Sequence, residues 1–348
     1  MKTIFDINQI TRENVRGLKP YSSARDEYIS DGSEMIFLDA NENPYENGVN
    51  RYPDPQQRNL KAVLAQQNKI SEKNILLGNG SDEVLDLLFR AFCEPLIDNV
   101  ITLPPTYGMY KVLANINNVE EREVLLTESF QPNVLGILAA ANNNTKIVFL
   151  CSPNNPTGNS FSEESIIKIL EEFNGLVVID EAYIDFSDKN SWLARINEYP
   201  NLIVTQTLSK AYGLAGIRLG VCYGSEEAIE ILNKIKPPYN VNELTQSRAL
   251  ERVLDQKQVK LEVSKILEQR ENLSKVLSKI PFVKEIYQSD ANFILAKVDD
   301  ANTRYEQLLK EGIVIRNRST QPLCENTLRF TVGTIKENEK LITVLKNI

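Results

Sequence analysis

The sequence predicts an α/β protein with two domains, a large one containing a mostly parallel sheet and a smaller α/β one. From about residue 75 to residue 235, short apolar runs without polar alternation are separated by helical patterns, as expected of strands buried on both faces. Helices between successive strands imply crossover connections, which make the strands parallel. After residues 236–238, which are Lys-Pro-Pro, the pattern changes to a long charged helical region and then to short strands.

The elements follow in order along the chain. In the large domain we predict strands over residues 74–78, 99–103, 122–126, 146–151, 176–180, 202–206 and 218–223, with a helix over 162–173 as one of the crossovers. In the smaller domain we predict mostly helix over 240–280 and 302–311, and strands over 283–287, 292–298, 312–316 and 328–332. Valine, isoleucine and leucine predominate in the large-domain runs, which is typical of buried parallel strands.

Composition and charge restrict the classes of function. A chain of 348 residues has length for roughly two domains and a sizeable core. Its net charge of -8 argues against nucleic acid as a partner, because phosphate binding needs a basic face. No apolar stretch approaches the ~20 residues that cross a bilayer, and the N-terminus lacks the apolar core of a signal peptide. We therefore expect a cytoplasmic protein without a membrane partner.

Cysteine and histidine usage narrows the chemistry further. Four cysteines (Cys93, Cys151, Cys222 and Cys324) are scattered without a C-x-x-C pair, which predicts buried reduced thiols. The chain contains no histidine, which excludes Ser–His and Cys–His catalysis and imidazole-based zinc sites. Proton transfer must fall to lysine, tyrosine, aspartate or glutamate, and no metal site is predicted.

Five residues near the ends of predicted strands form the constellation that carries most of the chemistry. Asn155 lies in S-P-N-N-P-T-G, Asp180 ends G-L-V-V-I-D, and Tyr183 follows it. Lys210 lies in T-L-S-K, and Arg218 lies eight residues beyond. Pyridoxal phosphate needs a lysine amine for its aldehyde, a carboxylate for its ring nitrogen, polar groups for its hydroxyl and an arginine for its phosphate. Each residue alone has an ordinary explanation, such as a helix cap or a turn, but the order along the chain favours the cofactor.

The segment G-N-G-S-D-E over residues 78–83 lies between a predicted strand and an apolar helix. Gly78 and Gly80 allow close backbone approach, and a helix N-terminus offers free N–H groups to an anion. A tight turn capped by Ser81 or Asp82 explains this stretch equally well on its own.

At these residues the chain resembles the fold-type I pyridoxal-phosphate aminotransferases, and within them the histidinol-phosphate aminotransferase group. The closer resemblance depends on six further segments. They are P-Y-S-S-A-R (20–25), L-D-A-N-E-N-P-Y (38–45), R-Y-P-D-P (51–55), G-N-G-S-D-E (78–83), P-P-T-Y (104–107) and L-R-F-T-V-G (328–333). The resemblance implies an aspartate-aminotransferase-like fold, with residues 46–240 as the large cofactor domain and residues 1–45 plus 241–348 as a discontinuous small domain.

The resemblance also implies a role for each candidate residue. Lys210 would hold pyridoxal 5'-phosphate and move the proton, while Asp180, Tyr183 and Asn155 would bind the ring. The cofactor phosphate would be bound by Gly80, Ser81, Asp82, Thr207, Ser209 and Arg218. Tyr107 would stack on the ring, and Tyr52 would reach the cofactor of the other subunit in a homodimer. Arg329 with Asn155 would bind a substrate carboxylate, and Tyr21, Arg25 and Arg316 a substrate phosphate.

The implied activity is amino transfer between L-histidinol phosphate and 2-oxoglutarate, giving imidazole acetol phosphate and L-glutamate. An aromatic or broad-specificity aminotransferase, or a decarboxylase of phosphorylated amino acids, would share nearly every motif. A cofactor-binding sensor without turnover is a further alternative. Such regulators add a basic DNA-binding segment, and the sequence contains none.

Overall fold

The computed structural model describes residues 5–19 and 36–348. Its larger sheet has seven strands in the order β1-β7-β6-β5-β4-β2-β3. The strands are β1 Ile75–Asn79, β2 Asn99–Thr102, β3 Glu120–Glu123, β4 Thr145–Cys151, β5 Leu176–Asp180, β6 Leu202–Thr207 and β7 Leu219–Tyr223. Neighbours from β6 to β3 pair in parallel, whereas β7 runs antiparallel to both β1 and β6. The predicted mostly parallel α/β fold is therefore confirmed.

Helices cover both faces of this sheet and surround a second, smaller one. They are α1 Ile7–Ile10, α2 Glu13–Arg16, α3 Arg58–Asn68, α4 Gly80–Phe92, α5 Met109–Ile116, α6 Val134–Ala140, α7 Glu163–Glu172, α8 Glu226–Ile235, α9 Glu243–Leu254, α10 Gln256–Leu277, α11 Ala301–Lys310 and α12 Ile335–Leu345. The start of α7 is typical: the Ser162 side chain accepts from the Ser165 N–H, and Glu163 and Glu164 stand in the first turn. Such caps satisfy free N–H groups and complement the helix dipole. No helix in the described part of the chain is long and apolar enough to cross a membrane.

Successive residues of the central strands pack into buried clusters on opposite faces of the sheet. This packing explains why the strands show no alternation of apolar and polar residues. In β4, Val148 and Leu150 belong to one buried cluster, while Ile147 and Phe149 belong to the cluster on the other face. Since both faces are covered by helices, every position must be apolar. The four cysteines are free and buried, as predicted.

The third strand lies a little earlier in the chain than predicted. The apolar residues around 124–126 suggested a strand over 122–126, but β3 consists of the charged run Glu120–Glu123. It lies at one edge of the sheet. Charged side chains are common on edge strands, where they discourage pairing with other chains.

The smaller sheet is antiparallel throughout, with the order β10-β11-β9-β8. Its strands are β8 Val283–Ile286, β9 Phe293–Val298, β10 Arg316–Asn317 and β11 Thr327–Thr331. The strand predicted over 312–316 is reduced to β10. Gly312 has a positive φ of 74° and the Ile313 N–H bonds back to the Leu308 carbonyl at 2.9 Å, so these residues finish α11 instead.

Residues in both segments that the prediction placed in the small domain pack against the large sheet. Ile7 and Val15 pack in the same buried cluster as the large-sheet strands, although residues 1–45 were assigned to the small domain. Val241, Ala249 and Val253 also join a large-sheet cluster, although the small domain was predicted to resume at residue 241. The apolar faces of α1, α2 and α9 are covered by the large sheet and its helices, and this explains the difference.

Candidate active site

One cavity lies at the carboxyl ends of the central strands of the larger sheet. Asp180 ends β5, Asn155 follows β4, and Lys210 follows β6. Ends of neighbouring parallel strands meet at one edge of a sheet, which is where open α/β folds bind ligands. The cavity is lined by Ser81, Asp82, Tyr107, Cys151, Asn155, Asp180, Ala182, Tyr183, Thr207, Ser209, Lys210 and Arg218. Most of the predicted cofactor residues are therefore brought together.

Asp180 is a buried carboxylate held by two neutral donors. The Tyr110 hydroxyl donates to its Oδ2 at 2.8 Å, and the Ala182 N–H donates to its Oδ1 at 3.2 Å. Burial raises the pKa of Asp180, while both hydrogen bonds favour the charged form. No ion pair holds Asp180 within the described residues, so its charge is available to a cationic group in the cavity.

Tyr110 was not predicted, although it is fully buried against this carboxylate. Its ring stacks on Phe149 with centroids 4.8 Å apart and meets the Tyr107 ring edge-on at 5.6 Å. The only signal in the sequence is the spacing of Tyr107 and Tyr110 in P-T-Y-G-M-Y, one helical turn apart. That spacing is too common to identify a partner for Asp180.

Lys210 lies beside the ring of Tyr183, with Nζ 5.8 Å from the ring centroid. Burial lowers the pKa of Lys210, and the positive charges of Arg329 and Arg218 lower it further. Burial raises the pKa of Tyr183, which keeps its hydroxyl protonated as a donor. The geometry thus supplies an amine that loses its proton more easily than an exposed lysine does.

An anion cradle forms where the start of α4 approaches β7. Gly80 has a φ of +78° and donates its N–H to the Arg218 carbonyl at 3.0 Å. A Cβ at Gly80 would lie 2.5 Å from Arg218 Nη2, and one at Gly220 would overlap the Ser81 nitrogen. Only glycine allows this approach, which leaves the N-terminal N–H groups of α4 facing the cavity.

Hydroxyls and a guanidinium complete the cradle. The Thr207 hydroxyl donates to Ser209 Oγ at 3.0 Å, and Arg218 Nη1 lies 3.5 Å from the same oxygen. Asp82 accepts from Arg218 Nη2 at 3.4 Å and from the Tyr107 hydroxyl at 3.0 Å. The carboxylate of Asp82 therefore orients Arg218 and Tyr107, and only its backbone N–H is suited to an anion.

The turn after β4 is held firmly by Asn154, the neighbour of the predicted Asn155. Asn154 Nδ2 donates to the Pro105 carbonyl at 2.8 Å and to Thr157 Oγ1 at 2.7 Å. Its Oδ1 accepts from the Thr106 hydroxyl at 3.1 Å. Asn154 thus joins this turn to the segment that carries Tyr107, and Asn155 is left facing the cavity.

Arg329 reaches this edge from the smaller sheet. Its Nη1 donates to Asn155 Oδ1, and its guanidinium lies over the Phe293 ring, 5.0 Å from the centroid. Burial and the charges of Arg318 and Arg316 lower the pKa of Arg329 to about 10, so it remains a cation at neutral pH. Arg316 is exposed and stands directly opposite Arg329 in the pairing of β10 with β11.

Tyr52, which was expected in the site, does not line this cavity. Tyr52 is half-exposed and stacks on Tyr239 with centroids 4.5 Å apart. It lines a separate cavity with Arg51 and Asn242. Tyr21, like Arg25, lies outside the described residues.

The cavity fits pyridoxal phosphate on its donors and charges. Asp180 can face a protonated ring nitrogen, and Tyr183 and Asn155 can reach a ring hydroxyl. The cradle of Ser81, Ser209 and Arg218 suits a phosphate. Among the described residues, no group of three histidine, cysteine, aspartate or glutamate side chains is placed to hold a metal ion.

Known proteins share this chain's sequence over most of its length. Residues 34–345 match the family model described as aminotransferase class I and II. The chain is 71% identical to a histidinol-phosphate aminotransferase of Flavobacterium johnsoniae, covering 98% of both chains. It is 64% identical to the protein of the same name from Flavobacterium psychrophilum, covering 98% of this chain and 99% of the relative.

Solved structures show the same fold. The histidinol-phosphate aminotransferase from Clostridium acetobutylicum matches with a TM-score of 0.80 at 27% identity, covering 86% of this chain and 90% of that one. The Sinorhizobium meliloti histidinol-phosphate aminotransferase, solved in complex with pyridoxal-5'-phosphate, matches with a TM-score of 0.79 at 24% identity. It covers 85% of this chain and 82% of the other.

Proposed function

This chain belongs to the aminotransferase class I and II family, and from that premise we propose how its cavity serves the histidinol-phosphate reaction. The protein is an aminotransferase of histidine biosynthesis. It transfers an amino group between L-histidinol phosphate and 2-oxoglutarate, giving imidazole acetol phosphate and L-glutamate. The observation that supports this most strongly in the structure is that Lys210, Asp180 and the anion cradle share one cavity.

Pyridoxal phosphate, when bound, supplies an aldehyde for amines and a ring that withdraws electrons. Lys210 would hold the cofactor at rest. With a substrate amine in the site, Lys210 Nζ would be free to take the proton from the substrate Cα, and it would act as the proton carrier of the reaction. The lowered pKa of Lys210 suits this task, because a larger fraction of the amine is unprotonated at neutral pH.

Asp180 keeps the ring nitrogen protonated in this proposal. An isolated buried carboxylate is costly, and a cation beside it offsets that cost. Tyr110 and the Ala182 N–H hold the carboxylate in one orientation. Tyr183 and Asn155 donate to the ring hydroxyl, and the cradle at Gly80, Ser81, Asp82, Thr207, Ser209 and Arg218 holds the phosphate.

Substrate binding is assigned to arginines of the smaller sheet. Arg329 with Asn155 would bind the α-carboxylate of glutamate or 2-oxoglutarate, since a guanidinium fork matches a carboxylate. Histidinol phosphate carries a phosphate instead, and Arg316 and Tyr21 are proposed to bind it. We also propose the division into a large cofactor domain and a discontinuous small domain. Ile7, Val15 and α9 amend it, because they pack against the large sheet.

We further propose a cytoplasmic homodimer in which Tyr52 acts on the neighbour's cofactor. Its position supports this, because Tyr52 is half-exposed and lies outside the cavity of its own chain. A two-fold dimer would place both such tyrosines at equivalent positions.

The test compares amino donors for the purified enzyme. With 2-oxoglutarate as acceptor, catalytic efficiency for L-histidinol phosphate should exceed that for phenylalanine and aspartate by at least about 10-fold, and no carbon dioxide should be released. Faster use of phenylalanine would assign the chain to aromatic substrates, and release of carbon dioxide would make it a decarboxylase.

A further inference from the structure

Three arginines of the smaller sheet lie near Asn155 and Tyr183, which line the active-site cavity, and one of them was not expected. Arg316 pairs directly with Arg329 across β10 and β11. Arg318 follows two residues later, and its N–H continues the ladder to the Thr327 carbonyl at 2.9 Å. Residues two apart on an extended chain point to the same side. The guanidiniums of Arg316, Arg318 and Arg329 thus form an arginine cluster.

Among the residues that the structure describes, this cluster has no anionic partner. No salt bridge joins any of the three to a carboxylate within residues 5–19 and 36–348. The groups that raise the pKa of Arg318 or Arg329 are the Tyr183 hydroxyl and the Cys324 thiol, and both are neutral at pH 7. Arg318 and Arg329 are half-buried like charges, which are costly without a counter-ion. Their proximity therefore indicates that an anion belongs there.

Buried polar atoms without hydrogen bonds are concentrated at the same place. They include the Nε atoms of Arg318 and Arg329, Ser319 Oγ and Gln321 Oε1. The two Nε atoms and the Ser319 hydroxyl can donate, whereas Gln321 Oε1 only accepts. Unsatisfied buried donors are rare in folded proteins and suggest a missing ligand. The turn that carries them is fixed, because Asn317 Oδ1 accepts from the Ser319 N–H at 2.9 Å and Asn317 Nδ2 donates to Asn302 at 2.7 Å.

The cluster borders the reacting groups. Tyr183 lies beside Lys210 and packs on Phe293 at 5.2 Å between ring centroids, and Arg329 lies over that same Phe293 ring. The charge of Arg318 acts on Tyr183 as well. An anion attached near the substrate Cα would therefore meet Arg329 first and Arg318 further along.

The two amino donors differ in the reach of their anions. In glutamate the carboxylate carbon is bonded to Cα. In histidinol phosphate a CH₂–O linkage separates Cα from phosphorus, and a phosphate monoester carries about −1.5 to −2 charges at pH 7. A farther and more highly charged anion needs additional cations beyond the one that serves a carboxylate.

We propose that Arg318 is a specificity residue that binds the phosphate of the amino-alcohol phosphate substrate, while Arg329 serves the carboxylate of the other donor. This assignment deepens the proposed function and rests on it. Arg318 adds to Arg316 a half-buried guanidinium whose Nε has no hydrogen-bond partner among the described residues. A second cation at the farther position raises affinity for the phosphate substrate without adding to carboxylate binding.

The experiment measures each half-reaction separately by single-turnover absorbance of the holoenzyme. For Arg318→Gln, the dissociation constant of L-histidinol phosphate should rise at least about 30-fold, as expected when a buried charge partner is removed. That of L-glutamate should change less than about 3-fold. The matched control is Arg304→Gln, because Arg304 lies in the same domain but is paired with Asp299 and stacked over Phe282.

Arg318→Lys provides a second variant if Arg318→Gln does not fold, as judged by thermal unfolding. Lysine keeps the charge and loses the fork, so an intermediate and equally selective loss is expected. Equal losses for the two donors, a larger loss for glutamate, or no loss in either variant would each overturn the assignment. If the unmodified enzyme does not use histidinol phosphate, the proposed function itself fails, and the unmodified enzyme alone reveals that outcome.

Discussion

Arg329 donates a hydrogen bond to Asn155 across 174 positions of the chain. Asn155 belongs to the turn after β4 in the larger sheet, and Arg329 lies on β11 in the smaller one. The bond therefore joins the two sheets at the cavity that contains Lys210. Because Arg329 Nε is buried and has no hydrogen-bond partner in the described part of the chain, the guanidinium retains donor capacity for a substrate anion.

Lys210→Ala should retain the fold and lose turnover by at least roughly 10²–10⁴-fold, the usual contribution of a positioned proton carrier. Borohydride treatment of the parent holoenzyme should attach the cofactor to the peptide containing Lys210. The exposed Lys189→Ala serves as the control and should keep its activity. Lys61 is a buried lysine whose pKa is lowered by burial to about 8, and labelling at Lys61 would contradict the assignment.

Tyr110→Phe should weaken cofactor binding without unfolding the protein. The Tyr110 hydroxyl donates to Asp180 and lowers its pKa, so its removal makes the charged carboxylate less favourable. A hydrogen bond to a charged group contributes about 1.5–3 kcal/mol, so the dissociation constant of pyridoxal phosphate should rise roughly 10- to 100-fold. Tyr305→Phe removes the hydroxyl of a partly buried tyrosine that packs against the core of the smaller sheet. This variant should leave the dissociation constant of pyridoxal phosphate unaltered. Unchanged affinity in Tyr110→Phe would show that the bond does not position Asp180.

Gly220→Ala should disturb the anion cradle. A Cβ at Gly220 would overlap the backbone of Gly80 and Ser81, so α4 must move away from β7. Overpacking of this kind typically costs about 1–3 kcal/mol. Chemical denaturation should show that loss together with weaker cofactor binding. Gly216→Ala meets no atom within 4 Å and should change stability by less than about 0.5 kcal/mol. Equal behaviour of the two variants would argue against a close approach at Gly220.

Titration of Glu181 should lower the free energy of unfolding as pH rises. It is buried and accepts from Ser191 Oγ at 2.5 Å, the Trp192 N–H at 2.7 Å and Gln206 Nε2 at 2.9 Å. Burial raises its pKa from 4.5 to about 7. The folded state thus prefers the protonated acid, and this stabilisation is present below about pH 4.5 and is lost as pH rises to about 7.

Unfolding of Glu181→Gln and of the parent should therefore be compared across that range. Relative to the variant, the parent should lose at most about 3 kcal/mol between the two ends. Glu230→Gln changes an exposed glutamate of α8 and should give no such trend. A constant difference between Glu181→Gln and the parent would exclude titration of Glu181 in this window.

The proposed shared site can be tested by mixing subunits. Tyr52→Phe and Lys210→Ala proteins should each be impaired, but a mixed dimer would contain one site with both changes and one with neither. Activity should therefore partly recover after subunit exchange. A fully active isolated monomer, or no recovery despite exchange, would contradict the assignment of Tyr52 to the neighbouring subunit.

Residues on the main strands were predictable because local pattern determines them. Continuous apolar runs located the central strands. Asp180 and Lys210 could be identified as candidates because they lie at or just after the ends of those strands. Tyr110 and Arg318 were missed, since each is defined by partners distant in the chain. The prediction of a strand over 312–316 was wrong, because Gly312 ends α11 with a positive φ that apolar content does not reveal. The packing of Ile7 and Val15 likewise depends on tertiary contacts.

The reversed strand β7 has a consequence for biosynthesis of the protein on the ribosome. Asn79 pairs with Leu219, which is synthesised about 140 residues later. Closing so long a loop is entropically slow, and the cradle between Gly80 and Arg218 cannot exist before it closes. A nascent chain that has not yet released β7 from the exit tunnel thus cannot capture the cofactor phosphate, which places cofactor loading after synthesis of the large sheet.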